Sequence, residues 1–210
     1  MAETLTTPNT VLGALLPAAG GTRLAAQIGA VILGTVALTV AAKIQVPVWP
    51  VAITLQSMVV AIIGGVMGWR LGFATVALYI AEGLTGLPVF SRGGGIEYIF
   101  SPSFGFIVGW LPMVAIAGFA AEKARGRILP MALGFLAADA VSFAFGFAWL
   151  MVVANMILGA GGELPKWLAS GDLFTVAWNG AVQPFIVWDI LKMAFAALTV
   201  AGALSVLRRR

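Results

Sequence analysis

The stretch Trp188-Asp189-Ile190-Leu191-Lys192 places an acid and a base inside a run, Pro184 to Leu207, that is otherwise almost wholly apolar. This run is long enough to cross a bilayer, because a transmembrane helix needs about 20 apolar residues. A charge at mid-membrane costs about 2.5–3.5 kcal/mol on insertion scales, so Asp189 and Lys192 are expected to meet each other, water or a ligand. At spacing i, i+3 the two side chains share one helical face. We therefore expect the rest of the chain to be arranged around that face.

The overall composition is that of an integral membrane protein. Hydrophobic residues make up 61% of the 210 residues and charged residues 10%, and the mean hydropathy is +1.04. Soluble domains carry roughly 25% charged residues. The absence of cysteine and histidine excludes thiolate chemistry and removes the commonest general base and metal ligand. We expect no catalytic site, no metal, no cofactor and no nucleic-acid binding.

Six apolar segments are predicted to cross the membrane as helices. They run over about 24–42, 55–67, 71–84, 104–121, 128–158 and 184–207. Gly68-Trp69-Arg70 is interpreted as a tight turn between the second and third segments. The predicted fold class is an all-α integral membrane protein, with a mobile or interfacial tail over 1–23 and one membrane domain over 24–210.

The basic residues are divided unevenly between the two ends of these segments. Lys43, Arg92 and Lys166 lie at one end, and Lys192 lies inside the last segment. All the others fall at the opposite end, namely Arg23, Arg70, Lys123, Arg125, Arg127, Arg208, Arg209 and Arg210. Because short cytoplasmic loops carry an excess of Lys and Arg, this bias predicts that both termini are cytoplasmic. The end with few basic residues is then the outer one.

A polar pocket open to the outer side is the simplest arrangement for the ionisable residues. At 1.5 Å per residue along the last helix, Asp189 and Lys192 lie in the outer half of the membrane. The candidate binding residues are Asp189, Lys192, Arg92, Tyr79, Glu82, Thr54 and Gln56, with apolar walls from Trp49, Phe90 and Trp149. Such a mixture suits a small, polar-headed, anionic metabolite.

Two loops are predicted to border this pocket. The prolines of Pro47-Val48-Trp49-Pro50 disfavour helix, and in an extended segment Thr54 and Gln56 would share a side. An ordinary interfacial connection with an aromatic anchor is the alternative for this loop. Gly93-Gly94-Gly95 lacks the following Lys of a phosphate-binding P-loop. Flexibility, or a close approach of its backbone to another group, is the better interpretation.

Taken in order, these segments resemble the BioY family. The resemblance runs from about residue 28 to 204 and is carried by Val51 to Ser57, Leu78-Tyr79, Gly86 to Phe90, Gly93 to Gly95, Gly146 to Leu150 and Asp189 to Lys192. It implies the biotin-specific S component of an energy-coupling factor transporter in the cytoplasmic membrane, which captures biotin from the outer side. It also implies docking through Ala37 and Ala41 to a transmembrane T component that carries two cytoplasmic ATPases.

The resemblance further implies roles in the pocket. Asp189 is expected to accept the ureido N–H groups of biotin, Lys192 either to orient that carboxylate or to donate to the ureido oxygen, and Arg92 to hold the carboxylate tail. One departure from the family pattern is Ser101-Pro102-Ser103-Phe104-Gly105, which stands in place of a Gly-Pro-Thr-Gly-Gly-type turn. The other is Glu82, an extra acid that is expected to add or replace a ureido contact.

Other functions stay open on the sequence alone. A self-sufficient proton-coupled carrier would use Asp139, Glu82 and Asp189 as a relay, although Asp139 would equally serve as a hydrogen-bonding partner of a neighbouring helix. An intramembrane enzyme would need a Ser-Lys or Asp-Asp dyad, and no spacing supports either. Asp189 and Lys192 would also be compatible with a purely structural ion pair.

Overall fold

Long apolar helices form the frame of the protein, whose computed structural model describes residues 10–16, 20–46 and 53–208. The helices are α1 (Val11–Leu15), α2 (Gly21–Lys43), α3 (Gln56–Leu84), α4 (Phe104–Ala124), α5 (Ile128–Gly159), α6 (Leu173–Ala181) and α7 (Ile186–Arg208). A two-stranded antiparallel ribbon, β1 (Gln45–Val46) with β2 (Ile53–Thr54), follows α2, and 3-10 turns cover Ile96–Phe100 and Gln183–Phe185. Since lipid offers the backbone no hydrogen-bond partner, helices are the expected way for this chain to cross a membrane.

The helix α3 is a hairpin of two helices. Gly68 has φ 79° and ψ 171°, a backbone conformation that is essentially restricted to glycine. The Gln56 amide donates to the Tyr79 hydroxyl at 2.7 Å, whereas an uninterrupted helix would separate these residues by roughly 35 Å. The chain therefore reverses at Gly68, as the sequence predicts, into arms over 56–67 and 69–84.

Counted with both arms of α3, the described residues contain the six predicted membrane helices. Five stretches of these residues are long and apolar enough to cross a membrane, and the α3 hairpin is one of them. The observed ends differ from the predicted ones by a few residues; α2, for example, begins at Gly21 rather than Leu24. The cytoplasmic position of both termini and the boundary of the tail stay predictions. Residues 1–9 and 17–19 of that tail lie outside the described residues, whereas α1 packs against α3 and α7.

Glycines allow the central helix α4 to approach its neighbours closely. A Cβ added to Gly64 would lie 2.6 Å from the Val114 carbonyl oxygen, and one added to Gly118 would lie 2.5 Å from the Trp69 nitrogen. Small residues at helix contacts let backbones pack tightly in membranes. The tight α3–α4 contact helps to hold the loop after α3 in position near the start of α7.

The described parts of the loops after α2, α3 and α5 lie at one end of the bundle, which we call the loop end. There, Lys43 Nζ donates to the Phe90 carbonyl oxygen at 2.6 Å. At the opposite end, Arg208 Nη1 donates to the Arg125 carbonyl oxygen at 2.9 Å. Asp172 caps α6 at the loop end, and the N–H and hydroxyl groups of Thr175 lower the pKa of its exposed carboxylate.

Candidate functional site

A buried ion pair forms the polar centre of the site. Lys192 Nζ lies 2.7 Å from Asp189 Oδ1, and the Ser57 hydroxyl donates to the same oxygen at 2.8 Å. Lys192 also donates to the Ser57 hydroxyl oxygen at 3.2 Å. Asp189 and Lys192 are only 4% and 8% exposed. None of these three contacts involves Oδ2 of Asp189. This second carboxylate oxygen can therefore accept a hydrogen bond from another donor.

The pair lies in the wall of a cavity at the loop end, whose empty space of about 760 Å³ includes space open to solvent. Five predicted binding residues line it, namely Thr54, Gln56, Arg92, Asp189 and Lys192. The tertiary structure thus brings together residues from the segment before α3, the loop after α3 and the start of α7.

The cavity is also lined by residues that were not predicted. Its aromatic side chains are Tyr98, Phe106, Trp110, Phe143 and Phe185, and its additional hydroxyl groups belong to Ser57, Ser91, Ser103 and Ser142. Ser57 directly follows the predicted Gln56, and Ser103 lies within residues 101–105, which depart from the family pattern. The sequence therefore marked the neighbourhood of both serines. Phe106, Trp110 and Phe143 are indistinguishable in sequence from lipid-facing aromatic residues, because both kinds lie in apolar helices, whereas Tyr98 and Phe185 lie in the 3-10 turns.

Tyr79 supports the cavity from behind instead of lining it. Its side chain is fully buried, and its hydroxyl donates to the Val89 carbonyl oxygen at 2.8 Å while accepting from Gln56 Nε2 at 2.7 Å. Thr54 in turn donates to Gln56 Oε1 at 3.3 Å. Tyr79 therefore orients Gln56, which does line the cavity.

The prediction that Glu82 faces the pocket is wrong. Its carboxylate accepts a hydrogen bond from the Thr35 hydroxyl of α2 at 3.2 Å, and it is absent from the cavity wall. Residues three apart on a helix differ by about 60° in direction, and Tyr79 already points toward Gln56. That rotation is enough to turn Glu82 toward α2.

Phe90 and Trp149 also lie behind the wall, contrary to prediction. The Phe90 ring is fully buried, with its centroid 4.6 Å from that of the cavity-lining Tyr98. Trp149 Nε1 donates to the Ile99 carbonyl oxygen at 3.1 Å. Both aromatic residues thereby hold the loop after α3 in place. The remaining predicted wall residue, Trp49, lies outside the described residues.

The predicted docking residues on α2 face different directions. Ala37 is exposed, next to the exposed apolar residues Leu33, Val36 and Val40, whereas Ala41 is only 3% exposed. Ala41 therefore packs within this chain, because α2 lies against α3 on that side. A docking surface on α2 would contain Ala37 but not the Ala41 side chain.

Asp139 adds a second buried acid to the cavity wall. It is 4% exposed and lies on α5, one turn before Ser142. It shares the cavity wall with Asp189 and Lys192. Within the described ranges, no cluster of three Asp or Glu side chains is placed to hold a metal ion.

The chain matches a model of one protein family over most of its length. The model, described as the BioY family, covers residues 11–209. A Pyrococcus horikoshii protein named probable biotin transporter BioY is 35% identical over 167 residues, which cover 78% of this chain and 87% of that protein. The biotin transporter BioY of Rhizobium etli is 34% identical over 172 residues, which cover 78% of this chain and 83% of that protein.

Coverage is shorter for another relative. The probable biotin transporter BioY of Lysinibacillus sphaericus is 35% identical over 122 residues, or 56% of this chain, and this chain spans 62% of its length. Among solved structures, the S-component for biotin from an ECF-type ABC transporter is 23% identical and has a TM-score of 0.72. The match covers 92% of this chain and 96% of that one, so the two share a fold.

Proposed function

The chain belongs to the BioY family, and we propose that it captures biotin in the cavity beside Asp189 and Lys192 for uptake across the cytoplasmic membrane. Its relatives carry the names of biotin transporters. It is accordingly a multi-pass membrane protein and a transporter, not an enzyme.

The ion pair on the cavity wall is the observation that carries this proposal. Biotin presents two ureido N–H donors, one carbonyl acceptor, an apolar thioether ring and a carboxylate tail. The second carboxylate oxygen of Asp189 would accept a ureido N–H, and charge-assisted bonds of this kind are the strong ones in buried sites. Lys192 would either keep Asp189 in position or donate to the ureido oxygen, while the apolar ring would pack among the aromatic side chains.

Arg92 is the proposed partner of the carboxylate tail. It lies on the cavity wall and, unlike the buried ion pair, is exposed. A guanidinium group binds a carboxylate in a bidentate geometry, with two parallel N–H···O hydrogen bonds. Biotin would then lie with its ureido ring at the bottom of the cavity and its flexible tail toward the loops.

Energy for uptake is proposed to come from other subunits. Membrane helices account for most of the described residues, and none of the described elements forms a nucleotide-binding domain. A transmembrane T component with two cytoplasmic ATPases would supply ATP hydrolysis, and the lipid-exposed face of α2 around Ala37 is the proposed contact with it. Transport assays with and without those subunits test this assignment.

Binding assays on the purified protein test the proposed substrate and site. Biotin, thiamine and riboflavin are titrated into the protein in detergent, followed by titrations with Asp189→Asn and Lys192→Met. We expect tight binding of biotin alone, weakened by at least about 2 kcal/mol in either variant, because each leaves a buried charged partner unpaired. Asp172→Asn and Lys166→Met make the same chemical changes at exposed positions outside the cavity and are expected to bind biotin normally.

A self-sufficient proton-coupled carrier is the competing proposal. Asp139 and Asp189 share the cavity, but Glu82 bonds to Thr35 outside it, so the three acids do not form one path. Uptake into vesicles that needs no ATPase subunit and collapses with an uncoupler would favour this carrier. Uptake that requires ATP hydrolysis would reject it.

A further inference from the structure

We propose that Asp139 is a second carboxylate contact for the substrate, accepting one ureido N–H while Asp189 accepts the other. This inference rests on the proposed function, since it assigns a residue to the recognition of the biotin ring. Asp139 lies on α5, whereas the ion pair lies on α7 and its partner Ser57 on α3.

The Asp139 side chain is placed for contact with a ligand. Its residue is 96% buried yet lines the cavity, as does Ser142 on the next turn of α5. Ser142 donates to the Phe106 carbonyl oxygen, at 3.4 Å, and does not pair with the acid. Throughout the part of the chain that the structure describes, no group donates a hydrogen bond to the Asp139 carboxylate. A buried polar group without a partner is costly, so its partner is expected to be water or substrate.

Neither cation of the described cavity wall donates a hydrogen bond to Asp139. Lys192 is bonded to Asp189 and Ser57, and Arg92 is exposed. The cavity wall thus holds two buried acids, Asp139 and Asp189, and one buried base, Lys192. A ligand that donates an N–H to each acid forms a charge-assisted hydrogen bond with each of them.

The cyclic urea of biotin has the matching chemistry. Its two N–H groups point away from each other on either side of the carbonyl, so one carboxylate cannot easily accept both. Acceptors on two different helices, Asp139 on α5 and Asp189 on α7, can each take one. A site built to bond both N–H groups also rejects ligands that lack one of them, since a buried acceptor is then left unpaired.

A thermodynamic cycle, in which the protein and the ligand are changed separately and together, tests this assignment. Wild type, Asp139→Asn and Asp139→Leu are titrated with biotin and with two analogues in which a methylene group replaces one or the other ureido N–H. We expect the Leu variant to bind biotin roughly 10- to 100-fold more weakly, the range for a hydrogen bond to a charged group. One of the two analogues lacks the N–H that Asp139 would accept. For this analogue we expect the Leu substitution to cause no further loss of affinity, because the bond to residue 139 is already missing.

The matched control is Asp172→Asn, which keeps the helix cap and is expected to leave all three affinities unchanged. Equal weakening of biotin and both analogues would indicate a purely structural role for Asp139 and overturn the inference, as would unchanged affinities. Wild type alone gives a further test, because an analogue that binds as tightly as biotin would show that only one N–H is recognised. Wild type that does not bind biotin would instead reject the proposed function.

Discussion

Lys43 at the end of α2 donates a 2.6 Å hydrogen bond to the backbone carbonyl oxygen of Phe90. The same oxygen accepts from the Gly93 N–H at 3.3 Å, so the lysine holds the tight turn that leads into the glycine triplet. Phe90 packs against Tyr98 of the cavity wall. The position of α2 is thereby linked to the wall of the site.

Replacing Lys43 by Met is expected to loosen this loop. Met keeps the apolar stem but removes the donor, and a hydrogen bond from a charged group contributes about 1.5–3 kcal/mol at most where water cannot replace it. Since Lys43 is exposed, we expect a smaller effect, seen as several-fold faster amide hydrogen exchange over residues 86–95. Lys166→Met, also at an exposed position, serves as the control. Unchanged exchange in the Lys43 variant would show that the bond does not hold the loop.

Ser57→Ala is expected to weaken biotin binding by about 0.5–1.5 kcal/mol, the usual contribution of one hydrogen bond. The serine donates to Asp189 and accepts from Lys192, so its loss frees both side chains to change rotamer. Isothermal titration measures the affinity, with Ser205→Ala as the control because that exposed hydroxyl bonds only within its own helix. Equal affinities for wild type and Ser57→Ala would contradict a positioning role.

Tyr79→Phe is expected to lower the stability of the folded protein by about 1–3 kcal/mol. The change leaves the Gln56 amide and the Val89 carbonyl without their shared partner in a fully buried position, and unpaired buried groups carry that cost. Unfolding in detergent measures the loss. Thr199→Val removes an exposed hydroxyl that bonds to Phe195 within α7 and should change stability little. A Tyr79 variant as stable as wild type would disprove the role of the hydroxyl.

Gly68→Ala is expected to destabilise the α3 hairpin by about 1–3 kcal/mol, the cost of placing a side chain in a backbone region reserved for glycine. Gly202→Ala is the matched control, since Gly202 lies within α7 in open space and alanine is the better helix former. Unfolding experiments on the two variants should therefore give opposite signs. A neutral Gly68 variant would mean that the turn relaxes at no cost.

The helices and the central ion pair were predictable from the sequence. Hydropathy identifies spans of about 20 residues because the bilayer core has a fixed thickness. The hairpin turn at Gly68 was marked by its neighbours Trp69 and Arg70, and the pairing of Asp189 with Lys192 follows from helical periodicity alone. Each of these features depends on residues that are close together in the chain.

Tertiary packing alone decided which other polar residues reach the cavity. Glu82 was expected there and faces Thr35, while Ser57 and Asp139 line the wall. The direction of a side chain in the bundle depends on how far each helix rotates against its neighbours, and glycine contacts between α3 and α4 set part of that rotation. Local sequence fixed the spans and the charged face of α7, because bilayer thickness and helical geometry are local constraints. The shape and chemistry of the cavity required the contacts between helices.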